Sequence, residues 1–384
     1  MRDTNPFIYS RPLSPEDIID RDGEVEELLG HALGGHYVRL YAPRKFGKTS
    51  LLKRVLRDGQ RDGLVPILVD LYGITSITDV TIRFERAYSR QLKGAVRARV
   101  DKFLQQTGIG LSLGAYGISA RLQLDARFDP LPALHELLDL PLRLDERGRY
   151  RAFIALDEFQ DVGRVPELDA LLRSHIQYQG EVASYVFAGS EPGLMEQLFE
   201  DKDRPLYGSA VPVRLGRLAD ADIATYVVGR FGQTEREVGD PINALLASAQ
   251  GHPQRAMLLA HRLWAETRKG KTATLDDWGA AHAGALAELH PEFDARWRGL
   301  DSSEQKTLRA IISSGGSPYR GEVRTRVNLT KDMLRRALPR LLATAEIETE
   351  EGSYQVVDPL FAEWITSLGR GSPESELGLG ASDA

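Results

Sequence analysis

The chain of 384 residues has no cysteine. That removes disulfide bridges, thiol nucleophiles and cysteine-ligated zinc, and it suits a reducing compartment. Long apolar runs are missing as well: none approaches the roughly 20 residues that a membrane-spanning helix requires. The first residues, Met1, Arg2, Asp3, Thr4, Asn5 and Pro6, lack the apolar region of a signal peptide, so a soluble, cytoplasmic protein with no membrane partner is expected. An excess of basic charge is absent too. With 49 Lys and Arg against 55 Asp and Glu, the formal charge is −6, so any nucleic-acid binding has to come from a local patch. The 42% hydrophobic content supports a large core divided over two or three domains.

Residues 37–53 carry the strongest chemical pattern. A short apolar run leads into Ala42, Pro43, Arg44, Lys45, Phe46, Gly47, Lys48, Thr49 and Ser50, and a helical pattern follows. In GxxxxGK[ST] the backbone N–H groups of the loop face phosphates, the lysine reaches the β/γ oxygens, and the hydroxyl binds Mg²⁺ at a helix N-terminus that favours anions. Gly47, Lys48 and Thr49 fill the second half of that pattern, whereas Ala42 stands where the first glycine is expected. Alanine adds one methyl, which such a loop tolerates.

The second half of the site lies at 152–158. Ala152, Phe153, Ile154, Ala155 and Leu156 have the composition of a strand buried on both faces, and Asp157 and Glu158 close its carboxyl end. This is the Walker B arrangement. Asp157 is expected to hold the water shell of Mg²⁺, and Glu158 to orient and deprotonate the attacking water. Another buried strand at 183–188 ends in Gly189 and Ser190, so Ser190 is either a sensor of the γ-phosphate or ordinary turn chemistry.

Strands near 37–41, 65–71, 152–156, 183–188 and 211–215, separated by helical patterns, predict a parallel sheet with helices on both faces. Residues 79–106 read as helical, and the alternation at 108–124 as an inserted hairpin. From Arg217 the pattern turns all-helical, with Gly251 closing one helix and Pro253 opening the next. Arg255, on the first turn of that helix, is either placed to reach a phosphate or is a solvated arginine. Asp301 to Glu304 form a capping-box pattern, three helices follow to about 343, and a hairpin spans 346–357. This is a winged-helix pattern. The expected division is a P-loop core at 1–216, a helical lid at 217–290, a winged helix at 291–368 and a disordered tail at 369–384.

Taken in order, these residues resemble the signal-transduction branch of the AAA+ ATPases, especially the archaeal-ATPase-like proteins. The likeness runs over about 5–366 through Asn5, Pro6 and Phe7; Asp20 to Glu24; Ala42 to Leu51; Leu156 to Gln160; Gly189 and Ser190; Pro205 to Gly208; Gly251 to Pro253; and Asp358 to Phe361 before Trp364. It implies ATP and Mg²⁺ as ligands. It also implies that Arg21 and Asp22 lie near the adenine, that His252 and Pro253 couple nucleotide to the lid, and that Arg255 acts as a second sensor. Three residues depart from the pattern: Ala42 and Asp20 replace glycines, and Ser209 stands where an arginine is expected. Arg204, Arg214 and Arg217 are the remaining, unranked candidates for an arginine finger.

The function expected is a slowly hydrolysing ATP switch that relies on self-assembly or a protein partner. The alternative is a nucleotide-dependent DNA-binding module using the winged helix, and a regulatory subunit acting on another protein is a third reading. For DNA the charge pattern is mixed. Arg320, Arg324, Arg326, Lys331, Arg335, Arg336 and Arg340 are basic, whereas Glu346, Glu348, Glu350 and Glu351 make the wing acidic. Pro339 is expected to kink the helix that would enter the major groove.

Overall fold

The computed structural model describes residues 4–106, 129–145, 150–350 and 352–370. The hairpin expected at 108–124 lies outside the described residues, as does the tail beyond 370. The chain divides into two compact units, Pro12–Gly216 and a second made of Met1–Arg11 with Arg217–Ala384. None of the described helices is long and apolar enough to cross a membrane.

The Pro12–Gly216 unit begins with α1 (Asp22–Gly34), β1 (Val38–Tyr41), α2 (Lys48–Arg61), β2 (Val65–Asp70), α3 (Ile77–Gln91) and α4 (Gly94–Gln106). It continues through α5 (Leu131–Leu138), α6 (Leu140–Leu144), β3 (Ala152–Asp157), a 3₁₀ turn at Phe159–Arg164, α7 (Leu168–Ile176), β4 (Ala183–Gly189), α8 (Pro192–Glu200) and β5 (Val211–Arg214). The five strands are parallel in the order β2-β3-β4-β1-β5. Every residue of β3 and β4 is buried, as expected for central strands covered on both faces. The register sets Asp70 beside Asp157 and Tyr41 beside both Gly189 and Arg214, so the carboxyl ends of the strands align. Ligands of open parallel sheets bind outside those ends. At the β2 edge, the Gln91 amide donates to Leu68 O at 2.8 Å and accepts from Leu68 N at 2.7 Å, replacing a neighbouring strand.

One boundary differs from expectation for an identifiable reason. The helical stretch ending at 106 is broken at Gly94, whose φ of +57° leaves the right-handed region, and so forms α3 and α4. Helix α2 runs through Gly59 to Arg61. Gly59 is there for packing: a Cβ at that position would come within 3.1 Å of the Phe153 ring.

The second unit contains α9 (Asp220–Gln233), α10 (Pro241–Ala249), α11 (Pro253–Glu266), α12 (Leu275–Gly299), α13 (Ser302–Ser314), α14 (Gly321–Arg326) and α15 (Lys331–Ala343). Strands β6 (Ile347–Glu350) and β7 (Ser353–Val356) form an antiparallel hairpin, and α16 (Pro359–Arg370) closes the unit. Three helices followed by this hairpin make the winged helix. The Asp301 and Glu304 capping box forms as expected, with reciprocal side-chain to backbone bonds. The division expected at 290 falls inside α12, which continues through Pro291 to Gly299. Helix α15 likewise runs on through Pro339, because Leu334, Ala337, Leu338 and Leu341 bury one face and offset the hydrogen bond that proline removes.

Asp358 binds the lid helices to the winged helix inside this unit. Its carboxylate accepts from Arg255 Nε at 3.0 Å, from Arg255 Nη2, and from Arg296 Nη1 at 3.4 Å. Burial disfavours the Asp358 anion, but Arg255, His252 and Arg296 outweigh it and hold the carboxyl far below its usual range. Arg217 adds a second tie: it donates to Glu348 Oε1, Gln250 O and Val357 O, each at 2.8 Å.

Candidate nucleotide site

Strand β1 is buried between β4 and β5, and the loop that leaves it turns at once into α2. Two residues of that loop have left-handed backbone, Lys45 at φ +68° and Gly47 at φ +91°. A Cβ at Gly47 would meet nothing within 4 Å, so glycine is required there by conformation rather than by space. Ala42 is not among the residues of positive φ, and its N–H donates to Gly189 O at 3.3 Å. Its methyl therefore carries no backbone penalty, which accounts for alanine where the motif has glycine. Ser50 is held differently: its Oγ accepts from Leu13 N at 2.9 Å.

Lys48 is only 5% exposed, and its ammonium donates to Ala42 O at 2.9 Å and Pro43 O at 3.2 Å. Burial lowers its pKa to about 8, although the Glu158 and Asp157 carboxylates pull it upward. At the second residue of α2, Thr49 Oγ1 donates to Asp157 Oδ2 at 2.8 Å. Burial raises the pKa of Asp157, against the Thr49 hydrogen bond that lowers it. A desolvated carboxylate beside a buried ammonium and a threonine hydroxyl is a site that gains from a divalent cation. The two hard oxygen donors fit Mg²⁺, which takes few protein ligands and keeps phosphate and water oxygens in its shell.

Glu158 is in left-handed backbone, φ +53°, which turns it away from the strand direction that Asp157 follows. Its Oε2 accepts from Ser190 Oγ at 2.6 Å and from Gln160 Nε2 at 2.5 Å. Gln160, itself buried, also accepts from Ser190 N at 3.2 Å through its Oε1. Ser190 thus contacts the Walker B glutamate directly, and Gln160 closes the triangle. Gln160 belongs to neither of the two nucleotide motifs in the sequence. A polar residue two positions beyond an acidic strand end was the available signal.

Around this centre, Arg21 is buried with φ +85°, and its guanidinium donates to Glu24 and to Gly216 O, both at 2.6 Å. Asp20 also has left-handed backbone, φ +47°, which a glycine would adopt freely and an aspartate tolerates. Asp22 pairs with Arg54 of α2, and Arg44 with Glu191 at 3.0 Å. Phe46 is buried. Among the finger candidates, Arg204 pairs with Asp169 at 3.2 Å. Arg214 lies at the end of β5 and is exposed, whereas Arg217 is committed to the wing contacts described above.

His252, Pro253 and Arg255 belong to the other unit. His252 caps α11 by accepting from Arg255 N, and Pro253 fills the first helical position. Arg255 is fully buried with Asp358 as its partner, so it is no solvated arginine. Its guanidinium serves the junction of lid and winged helix in this structure.

With sheet order, loop and acidic strand end in place, the chain has an AAA+-like α/β P-loop fold, carrying a winged helix after the lid. It is similar over 93% of its length to 99% of the Walker-type ATPase PABY2304 of Pyrococcus abyssi, with TM-score 0.68 and 21% identity. It is also similar over 95% of its length to 98% of the Aeropyrum pernix ORC2 protein, solved as ADPNP-ADP complexes, with TM-score 0.57 and 16% identity. No family model and no curated protein matches the chain.

Proposed function

We propose that the protein binds ATP with Mg²⁺ and hydrolyses it slowly, as a switch whose nucleotide state sets the position of the lid and winged helix. The observation that carries this reading is the Thr49 to Asp157 hydrogen bond, which joins the loop and the acidic strand end into one oxygen site. The nucleotides in the ORC2 complexes, on the same fold, support it. The loop N–H groups from Ala42 to Ser50 bind phosphate oxygens, and Lys48 exchanges its two loop carbonyls for the β/γ oxygens. Thr49 and Asp157 hold the cation, which neutralises charge on the transferring phosphoryl group. Glu158 receives the proton of the attacking water, while Ser190 and Gln160 hold its carboxylate in place. Arg21 and Asp22 flank the base.

Slow turnover follows from Ser209 standing where the finger arginine is expected, with its hydroxyl donating to Leu206 O. Switch ATPases without a supplied arginine turn over at about 0.01 per second or less. Self-assembly or a protein partner would supply the missing charge. The direct test is nucleotide binding with and without Mg²⁺ by wild type and Lys48→Ala: wild type binds with Mg²⁺ and the variant does not.

A DNA-binding role is kept as the second reading because one objection to it weakens in the folded chain. Two of the wing carboxylates, Glu346 and Glu348, are held inside the unit by Arg296 and Arg217. The acidic charge that would repel a phosphate backbone is therefore partly neutralised, while Arg335 and Arg336 are exposed.

A further inference from the structure

Residues 13–22 lie along one face of the helix that carries the phosphate loop. Leu13 N donates to Ser50 Oγ at 2.9 Å, Glu16 pairs with Arg57, and Asp22 pairs with Arg54. Positions 50, 54 and 57 are spaced by four and three residues, so they form a single stripe on α2. Ser50 is only 6% exposed, and its backbone belongs to the phosphate loop. The anchoring is therefore strongest next to the expected phosphates and weakens toward the more exposed arginine pairs.

The chain passes between the two units twice, after Arg11 and after Gly216. Both crossings leave the Pro12–Gly216 unit from residues held by the nucleotide site: Leu13 by Ser50, and Gly216 through its carbonyl by Arg21 at 2.6 Å. On the other side of the first crossing, residues 5–9 are built into the lid. Phe7 is buried against Tyr226 and Phe231, and its carbonyl meets His261 Nδ1 at 2.8 Å. Asn5 Nδ2 donates to His261 O at 2.9 Å, and the Tyr9 hydroxyl to Glu288 at 2.9 Å. The arm is thus a lid element, and the chain leads from it directly into the segment held against α2.

We propose that the Ser50, Arg54 and Arg57 face of α2 is a coupling surface: it positions residues 13–22 and through them transmits the state of the nucleotide site to the N-terminal arm in the lid. This rests on the nucleotide reading of the loop given above. Ser50 is the positioning residue of this route, touching the arm segment with its side chain and phosphate with its backbone. A shift of α2 on phosphate binding moves the acceptor of the Leu13 amide, and only Ser10, Arg11 and Pro12 stand between Leu13 and Tyr9.

The test is amide hydrogen exchange of the full chain with and without Mg²⁺-ADP, read in peptides covering residues 5–11. It compares wild type, Ser50→Ala and the double variant Arg54→Ala, Arg57→Ala, with fluorescent ADP binding measured on each. In wild type, nucleotide is expected to change exchange of the arm about tenfold, and in the variants less than about twofold although ADP is bound. A purely structural contact would speed exchange equally in both nucleotide states and leave the ratio at its wild-type value. That outcome overturns the proposal, as does a wild-type arm indifferent to bound ADP. If Ser50→Ala loses ADP altogether, the double variant, which leaves the loop intact, decides. Failure of wild type to bind ADP would instead remove the nucleotide reading and this inference with it.

Discussion

Thr49 Oγ1 and Asp157 Oδ2 are 2.8 Å apart although 108 residues separate them in sequence. One residue begins the helix after β1 and the other ends β3, and the parallel register brings both to the same edge of the sheet. The chemistry of the proposed site depends on that meeting point.

Lys48 sets a pH dependence whose sign follows from its burial. Its pKa falls from 10.5 to about 8 in the folded chain, so between pH 8 and 10.5 the unfolded chain binds more protons. Stability without nucleotide therefore rises with pH across that window, once other groups are accounted for by comparison with Lys48→Met. Phosphate reverses the preference by favouring the ammonium. Nucleotide affinity should fall as pH rises above about 8, with proton uptake on binding measurable by calorimetry in buffers of different ionisation enthalpy.

Gln160→Ala and Ser190→Ala test the clamp on Glu158. Each removes one donor to the same carboxylate oxygen. Turnover should drop by about 10- to 100-fold, the range of a misplaced general base, while nucleotide affinity stays within about threefold. Steady-state kinetics with a binding titration separates the two quantities.

Asp358→Ala removes the buried carboxylate partner of the fully buried Arg255 guanidinium and leaves it the half-exposed Glu292 at 3.6 Å. Breaking a buried pair from one side costs about 3–5 kcal/mol, so thermal or denaturant unfolding of the lid and winged helix should move to milder conditions. The Asp358 pKa is depressed in the folded state, so its stabilising contribution is present above the unfolded carboxylate pKa and disappears as pH falls through the folded one. The wild type should therefore lose more stability than Asp358→Asn on acidification.

Duplex DNA binding, if it occurs, should weaken with salt at a slope near −0.9 per phosphate contacted, and Arg335→Ala with Arg336→Ala should flatten that slope. Tight binding at about 0.15 M salt that this double variant abolishes would favour the DNA reading over a protein-facing winged helix.

The phosphate loop and the acidic strand end were legible in sequence because their chemistry is local: Gly47, Lys48, Thr49, Asp157 and Glu158 stand in short patterns whose geometry the backbone dictates. The winged helix was legible for the same reason, through the Asp301 capping box and the hairpin around Gly352. What was not legible depends on partners distant in sequence. Gln160 acquires its role only when β3 and β4 pair and bring Ser190 beside Glu158. Arg255 looked like an arginine on an open helix turn until Asp358, 103 residues later, met it in the fold. The packing of Gly59 against Phe153 is likewise invisible in the spacing.

The central claim, that Asp157 and Glu158 divide cation binding from proton transfer, is tested most directly by Glu158→Gln in a single-turnover experiment. Protein in excess is mixed with Mg²⁺ and radiolabelled ATP, and bound nucleotide is recovered and separated over time. The account predicts that Glu158→Gln binds ATP as wild type does and retains it unhydrolysed, with a rate at least about 100-fold below wild type. Conversion of bound ATP to ADP at the wild-type rate by Glu158→Gln would contradict the account.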